Sequence, residues 1–162
     1  FLIAIGLIIF LYGLFVVQEN LRGDGNGDAL SRYGSLLFFV GILGWVTSTA
    51  LSNTIAGSDL QVAGEAAAAG ALYAATLGIG TTSGVMAGLG FLALALAIST
   101  RDDYNKVFAL VAAVVAVVTV AVTLIGGIDS TQLQTLAPVL GICFLIHLAW
   151  SITLGIGLIN KG

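Results

Sequence analysis

Apolar runs long enough to cross a lipid bilayer recur along the whole length of this chain. The hydrocarbon layer is roughly 30 Å thick and a helix rises about 1.5 Å per residue, so a spanning helix needs about 20 mostly apolar residues. Phe1 to Val17, Tyr33 to Leu51, Val107 to Gly127 and Leu136 to Ile159 meet that requirement directly. Val62 to Ser99 exceeds it, since 38 residues in one helix would reach about 57 Å. Composition agrees with this reading: 59% of the 162 residues are apolar and 8% charged, against roughly a quarter charged in soluble domains. A water-soluble globule and a disordered chain are excluded. Five basic residues are too few for a nucleic-acid surface, so no nucleic-acid partner is expected, and a single Cys143 excludes a disulfide scaffold. The chain reads as an all-α integral membrane protein, one helical domain over 1–162.

The long run divides the topology into two cases. A break at Gly80-Thr81-Thr82-Ser83-Gly84 would give six crossings. Alternatively, residues 76–99 cross once, and the alanine-rich 62–75 forms a surface helix or a helix extension. Lys and Arg accumulate in short cytoplasmic loops, which decides the matter. With five spans, Arg22, Arg32, Arg101, Lys106 and Lys161 share one side, while Ser52 to Gln61 and Ile128 to Gln134 hold no basic residue. Six spans would scatter the same charges over both sides. Five crossings are therefore expected, at about 1–17, 33–51, 76–99, 107–127 and 136–159. The N-terminus is then outside and the C-terminus cytoplasmic, in a prokaryotic cytoplasmic membrane. A secretory signal places positive charge before its apolar run; here Arg22 follows the run that opens at Phe1, which is read as a retained span.

The loops carry little chemistry. Leu21 to Asp28 reads LRGDGNGD, a turn in which glycines permit positive φ and Asp or Asn bonds its own following backbone. It lacks the Glu at position 12 that an EF-hand calcium loop requires. Arg101-Asp102-Asp103 with Lys106 reads as a solvated turn ending in a helix cap.

Small residues drive helix association in lipid, because burial alone does not. Gly80, Gly84 and Gly88 repeat every four residues, a GxxxGxxxG glycine zipper suited to helix packing or to a subunit interface. Ala67, Ala71 and Ala75 form a similar row, and Gly41, Gly44 and Gly155 are weaker instances.

An ionisable group at membrane depth is a functional candidate. His147 falls midway along the last span, with Cys143 and Ser151 one turn to either side and Trp150 on the same surface. It is read as a structural histidine bonded across to Thr119, as a proton relay or path-lining group, or as a cofactor ligand. A haem held by two histidines is impossible in a chain with one, which leaves Met86 or another subunit's ligand. His147 with Cys143 supplies two metal ligands where zinc takes three or four. No cofactor or metal is therefore expected. Glu65 opens the alanine-rich run, where a carboxylate complements a helix dipole, and no pairing with His147 is expected. Hydroxyls at Thr47, Ser48, Thr49, Ser52, Thr76, Thr81, Thr82, Ser83, Thr119 and Thr123 gather in the middle-to-outer half. They either bond back to their own helices or line a shallow outward-facing cavity.

No catalytic motif is present: Gly78 to Ser83 lacks the ending of a GxGxxG fingerprint, and GxSxG does not occur. The expectation is a small polytopic subunit with a structural or accessory role, in contact with lipids and other membrane subunits, whether copies of itself or different chains. The alternative is a small channel or transporter for a neutral or weakly charged solute, using His147, Thr119 and Ser151.

Overall fold

Each polar interruption of the apolar sequence becomes a short connection between helices. In the computed structural model, which describes residues 2–23 and 26–159, α1 (Leu2–Asn20) ends where Asn20 donates to the Val16 carbonyl at 2.9 Å. The chain then turns at Gly23, whose φ of +121° is open only to glycine. The expectations that fall on Phe1, on Asp24 and Gly25 of the turn, and on Lys161 lie outside the described residues.

Helix α2 (Asn26–Ala56) runs beyond the expected 33–51 at both ends. Its first turns are polar yet helical, held by an i,i+4 pair in which Arg32 meets Asp28 at 2.9 Å. Asp59 Oδ1 then accepts from the Gln61 amide at 3.0 Å, and Glu65 Oε2 accepts from the Asp59 amide at 2.6 Å. Glu65 thus closes the α2–α3 turn from the first turn of α3, where its charge also complements the helix dipole.

Helix α3 (Ala63–Ser99) is one continuous rod of 37 residues, about 55 Å long. The alanine-rich segment extends this helix and is not a separate surface element, and no break occurs at Gly80 to Gly84. After it, Lys106 Nζ meets Asp102 Oδ1 at 2.6 Å. That hydrogen bond and the ammonium charge hold the Asp102 carboxyl below its ordinary value. Asn105 caps α4 (Lys106–Ile128) by accepting from the Phe108 amide at 3.0 Å, the solvated turn and cap that the sequence implies. Asp129 accepts from the Thr131 amide at 3.0 Å and from its hydroxyl at 2.6 Å, starting a 3-10 turn (Ser130–Gln132) that leads into α5 (Leu133–Ile159).

These are five helices long and apolar enough to cross a membrane, with no strand among the described residues. Their outer faces carry large exposed apolar side chains such as Ile8, Leu43, Val114 and Ile152, the surface a lipid solvent accepts and water does not.

Helix α3 is the axis, packed on α2 along one side and α4 along another. The closest approach lies between α2 and α3: a Cβ on Gly34 would stand 2.9 Å from the Gly90 carbonyl oxygen, and one on Gly90 2.8 Å from that of Gly34. Gly41 continues the seam against Ser83 and Ala87, and Gly44 lies on the Ser83 side chain. On α4, Ala109, Ala112, Ala113 and Ala116 are all buried at i, i+3, i+4 and i+7, one helical face, and the Ala116 carbonyl oxygen would lie 3.6 Å from a Cβ on Gly88 of α3.

The expected glycine row divides within this frame. A Cβ on Gly84 would meet Thr123 Cγ2 at 2.9 Å, and one on Gly88 would meet Val120 Cγ2 at 2.7 Å, both on α4. Gly80 has only Ser48 Oγ within reach, at 3.9 Å. The row is an intrachain contact over two of its three positions.

Candidate functional site

His147 is 1% exposed, and side chains from several helices surround it. Phe91 of α3 stacks on the imidazole with ring centroids 4.2 Å apart and planes at 15°. Phe38 of α2 meets Phe91 edge-on at 4.7 Å, Phe10 of α1 meets Phe38 at 5.5 Å, and Trp150 lies 6.2 Å from Phe91. The backbone carbonyls of Ala112 on α4 and of Cys143 one turn back face the ring, but neither completes a hydrogen bond, and both imidazole nitrogens are without a partner.

The bridge expected between His147 and Thr119 is not formed. Thr119 is buried, but its hydroxyl donates to Val115 of its own helix at 2.9 Å. Ser151 donates to the backbone carbonyl of His147 at 2.8 Å, leaving the ring untouched. Met86 lines a surface depression beside Val40 and Gly44, and the lining of the His147 cavity does not include it. Cys143 is buried with a free thiol. Among the described residues no three His, Cys, Asp or Glu side chains gather as metal ligands do.

Two cavities adjoin one another across an aromatic pair. The first, about 300 Å³, is lined by Ser48, Thr76, Thr81 and Thr123 together with Trp45 and Phe144. The second, about 200 Å³, is lined by His147 and by Phe10, Phe38, Trp45, Phe91 and Phe144. Trp45 and Phe144 stand on both walls, edge to face at 5.9 Å. Most of the hydroxyls the sequence gathers are spent locally: Thr47, Thr49, Ser52, Thr82, Ser83 and the cavity-lining Thr76 each donate to the carbonyl four residues back, at 2.7 to 3.0 Å. Ser48 reaches across to the Thr76 carbonyl at 3.4 Å.

Three features escape a sequence reading. The aromatic box of Phe10, Phe38 and Phe91 draws one ring from each of three helices, so no spacing along the chain announces it. The buried alanine face of α4 is visible as a period, but only within a segment that is apolar on every side. Ser35 is buried with its hydroxyl unpartnered, and a serine in a helix can rotate to a carbonyl one turn back. No protein-family model, curated protein or solved structure matches the chain.

Proposed function

We propose that this chain is a small structural or accessory subunit of a larger membrane assembly. One observation carries the reading. Gly34, Gly41, Gly44, Gly84, Gly88 and Gly90 are filled by neighbouring helices, whereas every glycine of α1 and α5, Gly6 and Gly141 among them, meets nothing within 4 Å, as do Gly64, Gly70 and Gly78 of α3. They are notches in otherwise bulky apolar faces, and small residues are what allow a second helix to approach closely in lipid. The clustering of basic residues at one end supports placing that end, with the turn between α3 and α4, on the inner face of a prokaryotic cytoplasmic membrane.

The test is isolation in mild detergent, comparing wild type with Gly6→Leu and Gly141→Leu. Both variants have room for the new side chain, so the isolated chain keeps its fold, while co-migrating subunits are lost. A wild-type chain that runs alone and carries solute flux in vesicles overturns this reading. The cavity lined by Ser48, Thr76, Thr81 and Thr123 favours a second reading, a carrier or channel for a small neutral solute. In that case Thr81→Val and Thr123→Val abolish the flux.

A further inference from the structure

Two hydroxyls stand apart from the rest. A threonine inside a helix ordinarily turns its Oγ1 back to a carbonyl one turn earlier. Thr47, Thr49, Thr54, Thr76, Thr82 and Thr119, every other threonine of α2, α3 and α4, do so. Thr81 of α3 and Thr123 of α4 have no hydrogen-bond partner among the described residues. A reciprocal fit between the two helices accounts for this. The atom of Thr123 nearest to a Cβ on Gly84 is its methyl, Cγ2 at 2.9 Å, with Oγ1 at 3.5 Å. Thr81 meets Gly127 in the same manner, methyl first and Oγ1 at 3.5 Å. Each methyl is held in the notch of the opposite glycine, which fixes the side chain and keeps its hydroxyl off the helical carbonyl. Both threonines line the cavity of about 300 Å³. Neither hydroxyl is sealed in the packing: the closed-off side-chain atoms without a partner belong to Ser35 and His147.

The walls define what fits. Trp45, Leu77, Leu133, Leu140 and Phe144 make most of the lining apolar, and no Asp, Glu, Lys, Arg or His takes part in it. An ion would stand there unpaired, which is costly. An apolar cavity of about 150 Å³ accepts benzene, so this one has room for an aromatic ring and a short chain. A hydroxyl on such a body can donate to one threonine and accept from the other, since each Oγ1 is both donor and acceptor. Trp45 and Phe144, edge to face at 5.9 Å, offer aromatic faces to the ring. A second cavity, about 460 Å³, shares Leu77, Thr81 and Leu133 with the first. It reaches the exposed Thr82 and Ser130 beside the α4–α5 turn, which gives the ligand an approach from that end of the bundle.

We infer that the cavity binds a small neutral aryl alcohol, its hydroxyl bonded to Thr81 and Thr123 and its ring against Trp45 and Phe144. This deepens the second functional reading, the carrier or channel, and rests on the same cavity, but it requires binding and not passage.

The experiment is equilibrium dialysis of the full chain in dodecyl maltoside micelles, with empty micelles as the blank, against 3-phenyl-1-propanol, propylbenzene and 3-phenylpropylammonium. Saturable binding is expected for the alcohol, at least about tenfold weaker binding for propylbenzene, and none for the ammonium ion. Thr81→Val and Thr123→Val keep the methyl in its notch and remove only the hydroxyl. Each is expected to weaken the alcohol about tenfold, the cost of one lost hydrogen bond, while Thr47→Val leaves it unchanged. Gly80→Leu adds bulk to the cavity wall where only Ser48 Oγ lies within 4 Å of a Cβ, and is expected to abolish binding, which keeps the test open if the valine variants do not fold. No saturable binding of the alcohol overturns the inference. So does equal binding of propylbenzene or of the ammonium ion, or undiminished binding to Gly80→Leu. Flux in vesicles separates the two claims: saturable binding without flux upholds the site and removes the carrier, whereas flux of a neutral solute by a chain that does not bind the alcohol overturns the inference alone.

Discussion

Two alanine substitutions on the same helix, ten residues apart, separate a real helix seam from an open one. A Cβ at Gly90 would stand 2.8 Å from the Gly34 carbonyl oxygen, 2.9 Å from the Phe38 amide nitrogen and 3.1 Å from Phe38 Cβ. None of these is the movable end of a side chain, so α2 and α3 must separate. Overpacking of this kind costs about 1–3 kcal/mol, and backbone on both sides puts Gly90→Ala near the middle or top of that range, about 2–3 kcal/mol. At Gly80 the new methyl would meet only Ser48 Oγ at 3.9 Å, ordinary contact. Alanine also favours a helix over glycine by about 0.5–1 kcal/mol, but membrane helices persist after the bundle comes apart, so most of that gain cancels. Gly80→Ala is therefore expected within about 0.5 kcal/mol of wild type. The assay is reversible unfolding in mixed dodecyl maltoside and dodecyl sulfate micelles, followed by the fluorescence of the two tryptophans. A Gly90→Ala midpoint equal to or above that of Gly80→Ala refutes the reasoning, because the two backbones would then not be in contact.

Three further outcomes are expected. In a Cys143→Ser background, cysteines at positions 59 and 129 label from outside and one at position 102 from the cytoplasmic side; labelling of 59 and 102 from the same side overturns the five-span topology. Asn105→Ala removes the α4 cap and costs about 1 kcal/mol, measured as a lowered unfolding midpoint in the same micelles. Asp102 titrates below its ordinary value of 3.8 because Lys106 bonds it; this linkage favours the fold above that value and is lost as pH falls through the lowered one. Lys106→Gln should return the carboxyl midpoint toward 3.8 in a carbon-13 NMR titration, and salt should partly mimic the substitution.

The number of long apolar helices is legible in the sequence because lipid imposes one requirement, length of apolar helix, on every segment alike. Helix ends are less so: Asn26 to Arg32 and Ala63 to Ala75 are too polar or too small to be read as membrane, yet nothing in them stops a helix. The glycine row illustrates a different loss. Spacing along α3 singles out Gly80, Gly84 and Gly88, but a contact needs a partner in register. The closest approach of backbone to backbone pairs Gly90 with Gly34, each unremarkable in its own helix. That His147 sits midway along the last long apolar helix follows from its place in the sequence. Its surroundings depend on how four other helices rotate, and the neighbour chosen from depth alone, Thr119, satisfies itself on Val115.

The length of α3 bears on how the protein sits in membranes of different thickness. At the steepest common tilt, about 40°, a hydrocarbon layer of roughly 30 Å takes up only about 26 residues. With 37 residues in the helix, about eleven must stand clear of the hydrocarbon. Its Ala63 to Ala75 portion is alanine-rich with only Leu72 and Tyr73 as large apolar side chains and Glu65 as a charge, and alanine gains little from lipid and loses little in water. That end of the rod has no sharp waterline. A bilayer thicker by several ångströms would wet one or two fewer turns of α3 at small cost, whereas the bulky apolar ends of α1, α4 and α5 fix those helices to a set depth. In a bilayer the unmatched stretch would act as a float, letting one protein ride membranes of unequal thickness without repacking its interior.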